Sequence, residues 1–570
     1  MTPANASTAL ATVLVDELVR CGVRDLVLSP GSRSAALAFA AHAAQDRMRL
    51  HTRIDERSAG FLALGIARTS KRPVVVVTTS GTAVANLHPA VLEASHAGVP
   101  LVLVTADRPA RLRGTNANQT TDQVRIFGTA VRHDADVPAA HPGSGPVEMR
   151  QVVTWRALAA RAAAVSRGRL GGRPGPVHLN VQFEEPLTPD AGDGWGSALD
   201  GRVEQQPWML PGKPLRAQPE DLDDGPRTVV LAGEDAGPPA RTLAEEAGWP
   251  LLAEPTSGSR TGDAVIRTYR LLLADDELAG RIQRVVVFGH PTLSRPVTRL
   301  LARDDVEVVV VTGPSGWTDP GLQASRVVDG VSTSSTGRAG STGREDVWRE
   351  EWRTRDAELS RRLDHFLAGR PTMTPHQVAG AVSAAVPSGG LLFVGASNPV
   401  RDLDLMVAAY GVGDRRMLLG NRGLSGIDGS VSSAIGAALG RPHSTRSLAL
   451  LGDVTFLHDG NGLVLGPEEA RPDLTIVVVN DDGGSIFASL EQGSQRYAAS
   501  YDRLFGTPHG VDLASLCAAT RTPHWRVGSL EELRHALASP AGGIEVVEAV
   551  VGRADRRELD AGIRELVHGA

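Results

Sequence analysis

A chain of 570 residues is longer than a single hydrophobic core serves and predicts about three to four domains. Its 42% apolar and 22% charged residues are ordinary for a globular protein, and a net charge of −6 argues against a nucleic-acid or bulk membrane partner. Cys21 and Cys517 are the only cysteines, which excludes a disulfide framework or a thiolate metal site and points to a reducing cytoplasm.

In chain order, "MTPANASTALATVLVDELVR" reads as a capped amphipathic helix, without the basic and apolar regions of a signal peptide. No stretch reaches the roughly 18 consecutive apolar residues of a membrane span, so no integral membrane segment is expected. "LSPGSRSAALAFA" (28–40) reads as a strand, a Pro-Gly turn and a helix, with Ser32, Arg33 and Ser34 at a helix start that suits an anion. "HTRIDERSAGFLALGIARTS" places Asp55, Glu56 and Arg57 at the start of an apolar helix, where acids commonly just complement the helix dipole.

Short β-branched runs then alternate with Ala-rich helices: "VVVVTT" (74–79), "PLVLVTA" (100–106), "TVVLAG" (228–233), "VVVFG" (285–289), "EVVVVTG" (307–313), "SLALLGD" (447–453) and "LTIVVVN" (474–480). Such continuous apolar runs suit parallel strands covered on both faces, and hence an α/β fold. Residues 187–226, rich in Pro, Gly and acids, and 331–346, rich in Ser, Gly and Thr, read as linkers, the second a mobile tether. Beyond the second, Thr374 and Pro375 open a new helix as N-cap and first helical residue. Three domains result: 1–190, 205–365 and 370–570, each a mostly parallel sheet flanked by helices. The first and third share a pattern of strand, helix and strand ending in an acid, with 27 residues from Ser80 to Asp107 and 28 from Asp453 to Asp481. That spacing hints at duplication.

Asp453 and Asp481 both come after buried-looking strands. Ligands of open α/β sheets bind beyond the carboxyl ends of strands. Two carboxylates there, with a backbone carbonyl near Gly483, suit a hard ion such as Mg²⁺ that completes its shell with phosphate oxygens and water. Gly483 and Gly484 let the backbone approach a phosphate, and a helix N-terminus just beyond them would offer free N–H groups. Taken singly, each aspartate reads equally as a turn or cap residue.

The "GD" of residues 452–453, with an acid 28 residues later and a double glycine after it, resembles the metal-diphosphate signature of thiamine diphosphate enzymes. Within that superfamily, "SPGSRSAALA", "IDERSAGFLALGIAR", "TTSGTAVANLHPAVLEA", "VTADRP", "NQTTDQ", "GPVHLNVQFEEPL", "NRGLSGIDG" and "NDDGGSIFASLEQG" resemble the 2-succinyl-5-enolpyruvyl-6-hydroxy-3-cyclohexene-1-carboxylate (SEPHCHC) synthase family of menaquinone biosynthesis. The resemblance spans the chain. It implies a transferase of thiamine diphosphate-binding fold, with a pyrimidine-binding, a central and a diphosphate-binding domain. The implied reaction decarboxylates 2-oxoglutarate and adds the resulting succinyl carbanion to isochorismate by conjugate addition. Thiamine diphosphate and Mg²⁺ (or Mn²⁺) are the implied cofactors. A homodimer, or a pair of homodimers, is implied as well, because Glu56 and the diphosphate site meet across a subunit interface in this superfamily.

By resemblance, Glu56 hydrogen-bonds the aminopyrimidine and activates the cofactor. Ser80, Gly81, Gly452, Ile427, Gly483, Gly484 and Ile486 contact the cofactor, with Ile427 wedging its bent shape or simply packing in the core. Asp453, Asp481 and the Gly483 carbonyl hold the metal; spacing to Gly483 favours Asp481 over its neighbour Asn480. Both substrates are dicarboxylates, which forked guanidinium groups match. Arg33, Arg108, Arg401 and Arg422 are the implied contacts, with Arg295 a weaker fifth, beside Ser32, Gln119 and Ser397. Ile486 and Phe487 are implied to cover the pocket and keep it dry. Ala396 stands where a polar contact is expected.

Three rival readings stand beside this one. Another thiamine diphosphate 2-oxoacid decarboxylase or carboligase fits the fold, but the arginines argue against small monoacid substrates. A non-catalytic binding module conflicts with the intact Glu56, Asp453 and Asp481. A Rossmann dehydrogenase lacks its GxGxxG fingerprint.

Overall fold

The computed structural model describes residues 5–169, 171–189, 194–212, 218–223, 225–333, 344–407 and 410–568, without the side chains of 344–346. Lys213, parts of the first predicted linker and most of the second lie outside the described residues. No described helix is long and apolar enough to cross a membrane.

Three parallel sheets organise the chain. The first contains β1 (Asp25–Leu28), β2 (Arg49–Thr52), β3 (Val74–Thr78), β4 (Leu101–Asp107), β5 (Asp134–Val137) and β6 (Val177–Gln182), in the order β2-β1-β3-β4-β6-β5. After β7 (Glu220–Leu222) comes a five-stranded sheet of β8 (Thr228–Ala232), β9 (Leu251–Ala253), β10 (Arg284–Phe288), β11 (Glu307–Val311) and β12 (Ala324–Val328), ordered β12-β11-β10-β8-β9. β13 (Val331–Thr333) pairs with β7. The third sheet contains β14 (Leu391–Val394), β15 (Met417–Leu419), β16 (Ser447–Gly452), β17 (Leu474–Asn480), β18 (His524–Val527) and β19 (Ile544–Val550), ordered β15-β14-β16-β17-β19-β18. The first and third sheets thus have the same strand order. The apolar runs form strands because both faces are covered: every residue of β3, β4, β8 and β10 is buried.

Some expectations hold and others need correction. The helix Ala6–Arg20 is capped by Asn5, which accepts the Thr8 N–H, and it is amphipathic with a narrow polar stripe: only Thr8, Thr12, Asp16 and Arg20, one turn apart, are not buried. Its many alanines and valines let it sit in the core beside the helices Ala35–Ala43 and Gly145–Ser166. Both predicted linkers contain ordered structure: β7 lies in the first, β13 in the second, and they pair. The first also buries Trp195 against Trp155, and Glu148 accepts the N–H groups of Gly196 and Ser197. Burial of one indole outweighs a polar composition. The helix at Pro375 is capped by Thr374 as expected, with Gln377 completing a capping box.

By spatial clustering the chain forms two compact units, one of Met1–Leu215, Asp428–Pro442 and Asp459–Pro472, the other of Arg216–Ile427, His443–His458 and Asp473–Ala570. In the first, helix Glu56–Ser70 packs along helix Ser430–Gly440 at glycines. A Cβ on Gly65 would lie 2.1 Å from the Ser433 carbonyl oxygen, and one on Gly436 would lie 2.2 Å from that of Leu62. Ala replacing Gly inside a helix usually stabilises it by about 1 kcal/mol. Here Gly65→Ala and Gly436→Ala are expected to destabilise by about 2 kcal/mol each, because the backbones must separate. Chemical denaturation checks this; an unchanged or raised midpoint would contradict the close approach.

Candidate active site

In both the first and third sheets the strand order reverses between the first strand and the third: β1 and β3, β14 and β16. The crevice beyond such a switch point is where open α/β sheets bind ligands. In the second unit it holds a cavity of about 140 Å³. Ser397–Pro399 line it from the end of β14, Gly452–Thr455 from β16, and Asp481 with Gly483–Phe487 from β17, while Ile427 closes another side.

Gly452 is in register with Val479, so β16 and β17 end side by side and carry Asp453 and Asp481 to the same edge. Asp453 is buried and opens helix Asp453–His458 directly at the end of β16. Its Oδ1 accepts the Val454 N–H at 2.7 Å; its Oδ2 accepts the Gly483 N–H at 2.9 Å and lies 3.1 Å from His509 Nε2. Burial pushes the Asp453 carboxyl up against these donors. Burial, reinforced by the Asp453 charge, pushes Asp481 up to about 7, with the Ser485 hydroxyl opposing. Two buried carboxyls whose pKa values are both raised, that of Asp481 in part by the charge of Asp453, form a site that suits added positive charge.

Asn480, the alternative to Asp481, has its side chain engaged elsewhere. Its amide donates to Glu548 at 2.8 Å and its oxygen accepts the Asp482 N–H at 3.0 Å. The double glycine serves a close approach between chain segments: a Cβ on Gly483 would lie 2.1 Å from the Gly506 carbonyl oxygen, and one on Gly484 2.5 Å from that of Phe505. Gly483, at φ 146°, also holds a conformation that favours glycine. Beyond the glycines the chain forms a 3₁₀ turn, Ser485–Ser489, not the expected α-helix. Ile486 and Phe487 both line the cavity, and the Phe487 ring packs on Phe505 at 5.7 Å. Gly452 leaves open space: only Pro399, 3.8 Å away, would touch a Cβ there.

Ser397 adopts φ 72° and ψ −137°, a region essentially reserved for glycine. Its carbonyl accepts Arg401 Nη1 at 2.7 Å. Burial, then the charges of Arg422 and Arg270, bring the Arg401 guanidinium down to about 10. Arg422 is buried and donates to Thr292 Oγ1 at 2.9 Å. Arg401 and Arg422 are therefore brought together. Arg295 is not: it is exposed and paired two-pronged with Glu491, at 2.8 and 3.2 Å.

In the first unit, a second group forms beyond β1, β3 and β4. Arg108 Nη1 donates to Ser80 Oγ at 2.6 Å, and the Ser80 hydroxyl donates to the Gln119 carbonyl at 2.9 Å. The Gln119 side-chain amide donates back to the Ser80 carbonyl at 3.1 Å. Gly81, at φ 80°, donates its N–H to Gln123 at 2.8 Å. Arg33 donates to the Phe183 carbonyl at 3.1 Å, and burial together with the Arg108 charge lowers its pKa. Ser32 is exposed beside it. Glu185 lies 3.7 Å from Arg33, and the two guanidinium groups together are of the kind that suits an anion. Glu56 is the first residue of helix Glu56–Ser70, half-buried, after the N-cap Asp55, which accepts the Ser58 N–H at 3.1 Å.

Comparison with known proteins agrees with this geometry. The family model for the thiamine pyrophosphate enzyme N-terminal TPP binding domain matches residues 8–126, and that for the C-terminal TPP binding domain matches residues 404–548. The SEPHCHC synthase of a Nocardioides species is 61% identical over 98% of both chains. Those of Kineococcus radiotolerans, 51% identical over 96% of both, and Thermobifida fusca, 44% identical over 99% of this chain and 100% of its own, are similar along the same length. The chain belongs to the SEPHCHC synthase family.

For this family member, sequence reasoning missed some site residues. Asp402 and Arg556 line the cavity and form a buried two-pronged pair at 2.6 and 2.9 Å. Asn398 donates to Ser485 at 2.8 Å and steadies the turn that holds Asp481. No local pattern marks one arginine among so many; the "SNPVRD" motif, which contains Asn398 and Asp402, was the one signal in the sequence.

The strain at Ser397 generates a prediction. Ser397→Gly relieves it and is expected to stabilise the fold by about 1 kcal/mol, yet to lower kcat/KM at least roughly tenfold by removing the hydroxyl. Thermal unfolding and steady-state kinetics read the two effects; a destabilised but fully active variant would contradict both.

Proposed function

We propose that this chain condenses 2-oxoglutarate with isochorismate, giving SEPHCHC and CO₂, as a cytoplasmic, thiamine diphosphate-dependent transferase of menaquinone biosynthesis. The observation that carries the reading is the pair of carboxylates, Asp453 and Asp481, at adjacent strand ends on one cavity, within a chain that also sets Arg401 beside Arg422 and Arg33 beside Arg108. Domains 1–190, 205–365 and 370–570 then bind the pyrimidine, link the halves and bind the diphosphate.

The residues fit a divalent ion and a diphosphate. Asp453, Asp481 and the Gly483 carbonyl supply hard oxygen ligands for Mg²⁺ (or Mn²⁺), which takes few protein ligands and keeps positions for phosphate and water. The space beside Gly452 admits a group that any side chain would displace. When bound, thiamine diphosphate supplies the electron sink for decarboxylation and carbon–carbon bond formation. Glu56 holds a proton-sharing hydrogen bond to the aminopyrimidine, from a helix start whose dipole favours its carboxylate. Arg33, Arg108, Arg401 and Arg422 bind the carboxylates of the two substrates, with Ser32, Gln119 and Ser397 as polar contacts. Arg295 joins them by releasing Glu491. Ile427 and Ile486 shape the cofactor pocket, and Ile486 with Phe487 excludes the water that would protonate the carbanion. The working unit is a homodimer in which Glu56 of one subunit serves the metal site of its partner.

Purified protein with thiamine diphosphate and Mg²⁺ is expected to consume isochorismate, monitored by its absorbance, only when 2-oxoglutarate is present. Untouched isochorismate alongside decarboxylation of pyruvate would overturn the reading. Glu56→Gln is expected to keep fold and cofactor binding and to lose about 100-fold or more in turnover. Unchanged turnover would remove Glu56 from the mechanism.

A further inference from the structure

Arg422 sits in a crowded electrostatic setting. The charges of Arg422 and Arg270 both act on Arg401. Most nearby acids are already matched. Asp402 is gripped by Arg556, and Asp404 faces Arg260 at 3.2 Å and Arg270 at 3.6 Å. Glu254 is different. It comes directly after β9, is almost wholly buried, and its Oε2 has no hydrogen-bond partner among the described residues. Its Oε1 accepts the backbone N–H groups of Thr292 at 3.0 Å and Leu293 at 2.9 Å. Burial pushes its carboxyl up to about 8, and the Arg422 charge is the largest influence holding it down.

Thr292 lies on an exposed turn after β10, yet its hydroxyl accepts the hydrogen bond from the buried Arg422. An exposed turn is an unreliable anchor unless something fixes it from below. Glu254 does so by accepting, on one buried carboxyl oxygen, hydrogen bonds from two consecutive backbone N–H groups.

We propose that Glu254 is a positioning residue for substrate binding: it pins the Thr292–Leu293 turn so that Thr292 holds the Arg422 guanidinium in its binding pose. The inference rests on Arg422 being a substrate contact. Glu254 never touches substrate. Its Oε1 fixes the turn, and the single bond from Arg422 to Thr292 leaves the other guanidinium donors to the incoming carboxylate. Removing the anchoring oxygen alone, or the Thr292 hydroxyl alone, should therefore affect binding in the same way.

Steady-state kinetics of the holoenzyme test this with Arg422→Ala, Glu254→Leu, Glu254→Gln, Thr292→Val and Thr292→Ser. Arg422→Ala identifies the substrate concerned by its raised KM. Glu254→Leu, which removes the oxygen that accepts both N–H groups, and Thr292→Val, which keeps shape, should each raise that same KM roughly tenfold with kcat changed less than about threefold. The double variant of these two should be no worse than about the larger single effect, while Glu254→Gln, which keeps the accepting oxygen, and Thr292→Ser should keep the parent KM. Any variant that lowers kcat and KM together, or loses thermal stability with KM unmoved, marks a merely structural role and overturns the proposal. If Arg422→Ala raises KM while Glu254→Leu and Thr292→Val leave it alone, this inference fails and the substrate reading stands. If Arg422→Ala leaves both KM values unchanged, Arg422 is no substrate contact and both readings fall.

Discussion

The arrangement depends on one electrostatic constraint. Two aspartates end neighbouring parallel strands, and the register of β16 and β17 brings both to the same small cavity. Removing carboxylates from water is costly, and the cost rises when two share a site. The structure answers with backbone N–H donors and one histidine on Asp453, and with the Ser485 hydroxyl on Asp481. None of these is a full positive charge held against both. A divalent cation is the economical completion, and a diphosphate is the natural companion of that cation.

The same logic runs with opposite sign elsewhere. The charge of Arg422 lowers the pKa of Arg401, and that of Arg108 lowers the pKa of Arg33 in the first unit. Each is a pair of like charges, the electrostatic setting that an incoming anion relieves. Backbone strain at Ser397 belongs to the same pattern. The chain keeps a hydroxyl at the cavity wall where glycine would sit without strain, and strain that persists at a cavity wall is a signature of a working site.

Much of the fold was legible in local patterns. β17 spans the very residues of the apolar run "LTIVVVN", and the other runs match their strands to within two residues. The hint of duplication, drawn from two spacings, has a counterpart in the shared strand order of the first and third sheets. The placement of Asp453 and Asp481 at neighbouring strand ends was readable because strand ends and spacing are properties of contiguous sequence. Long-range partners were not. The pairs Glu254 with the Thr292 turn and Asp402 with Arg556 join segments far apart in sequence, and nothing local marks them. The pairing of β7 with β13 was hidden for the same reason, inside stretches whose composition reads as linker. Nor could sequence supply the side-chain hydrogen bonds of Asn480 to Glu548 and to the Asp482 N–H.

The claim that everything rests on is that Asp453 and Asp481 form a cation site on which diphosphate binding depends. Calorimetric titration of thiamine diphosphate into the metal-stripped protein, with and without added Mg²⁺, tests it directly. The account predicts binding at least about 100-fold tighter with Mg²⁺, and loss of that enhancement in Asp481→Ala while the fold is retained. Equal affinity with and without Mg²⁺, or an enhancement that survives Asp481→Ala, would contradict it.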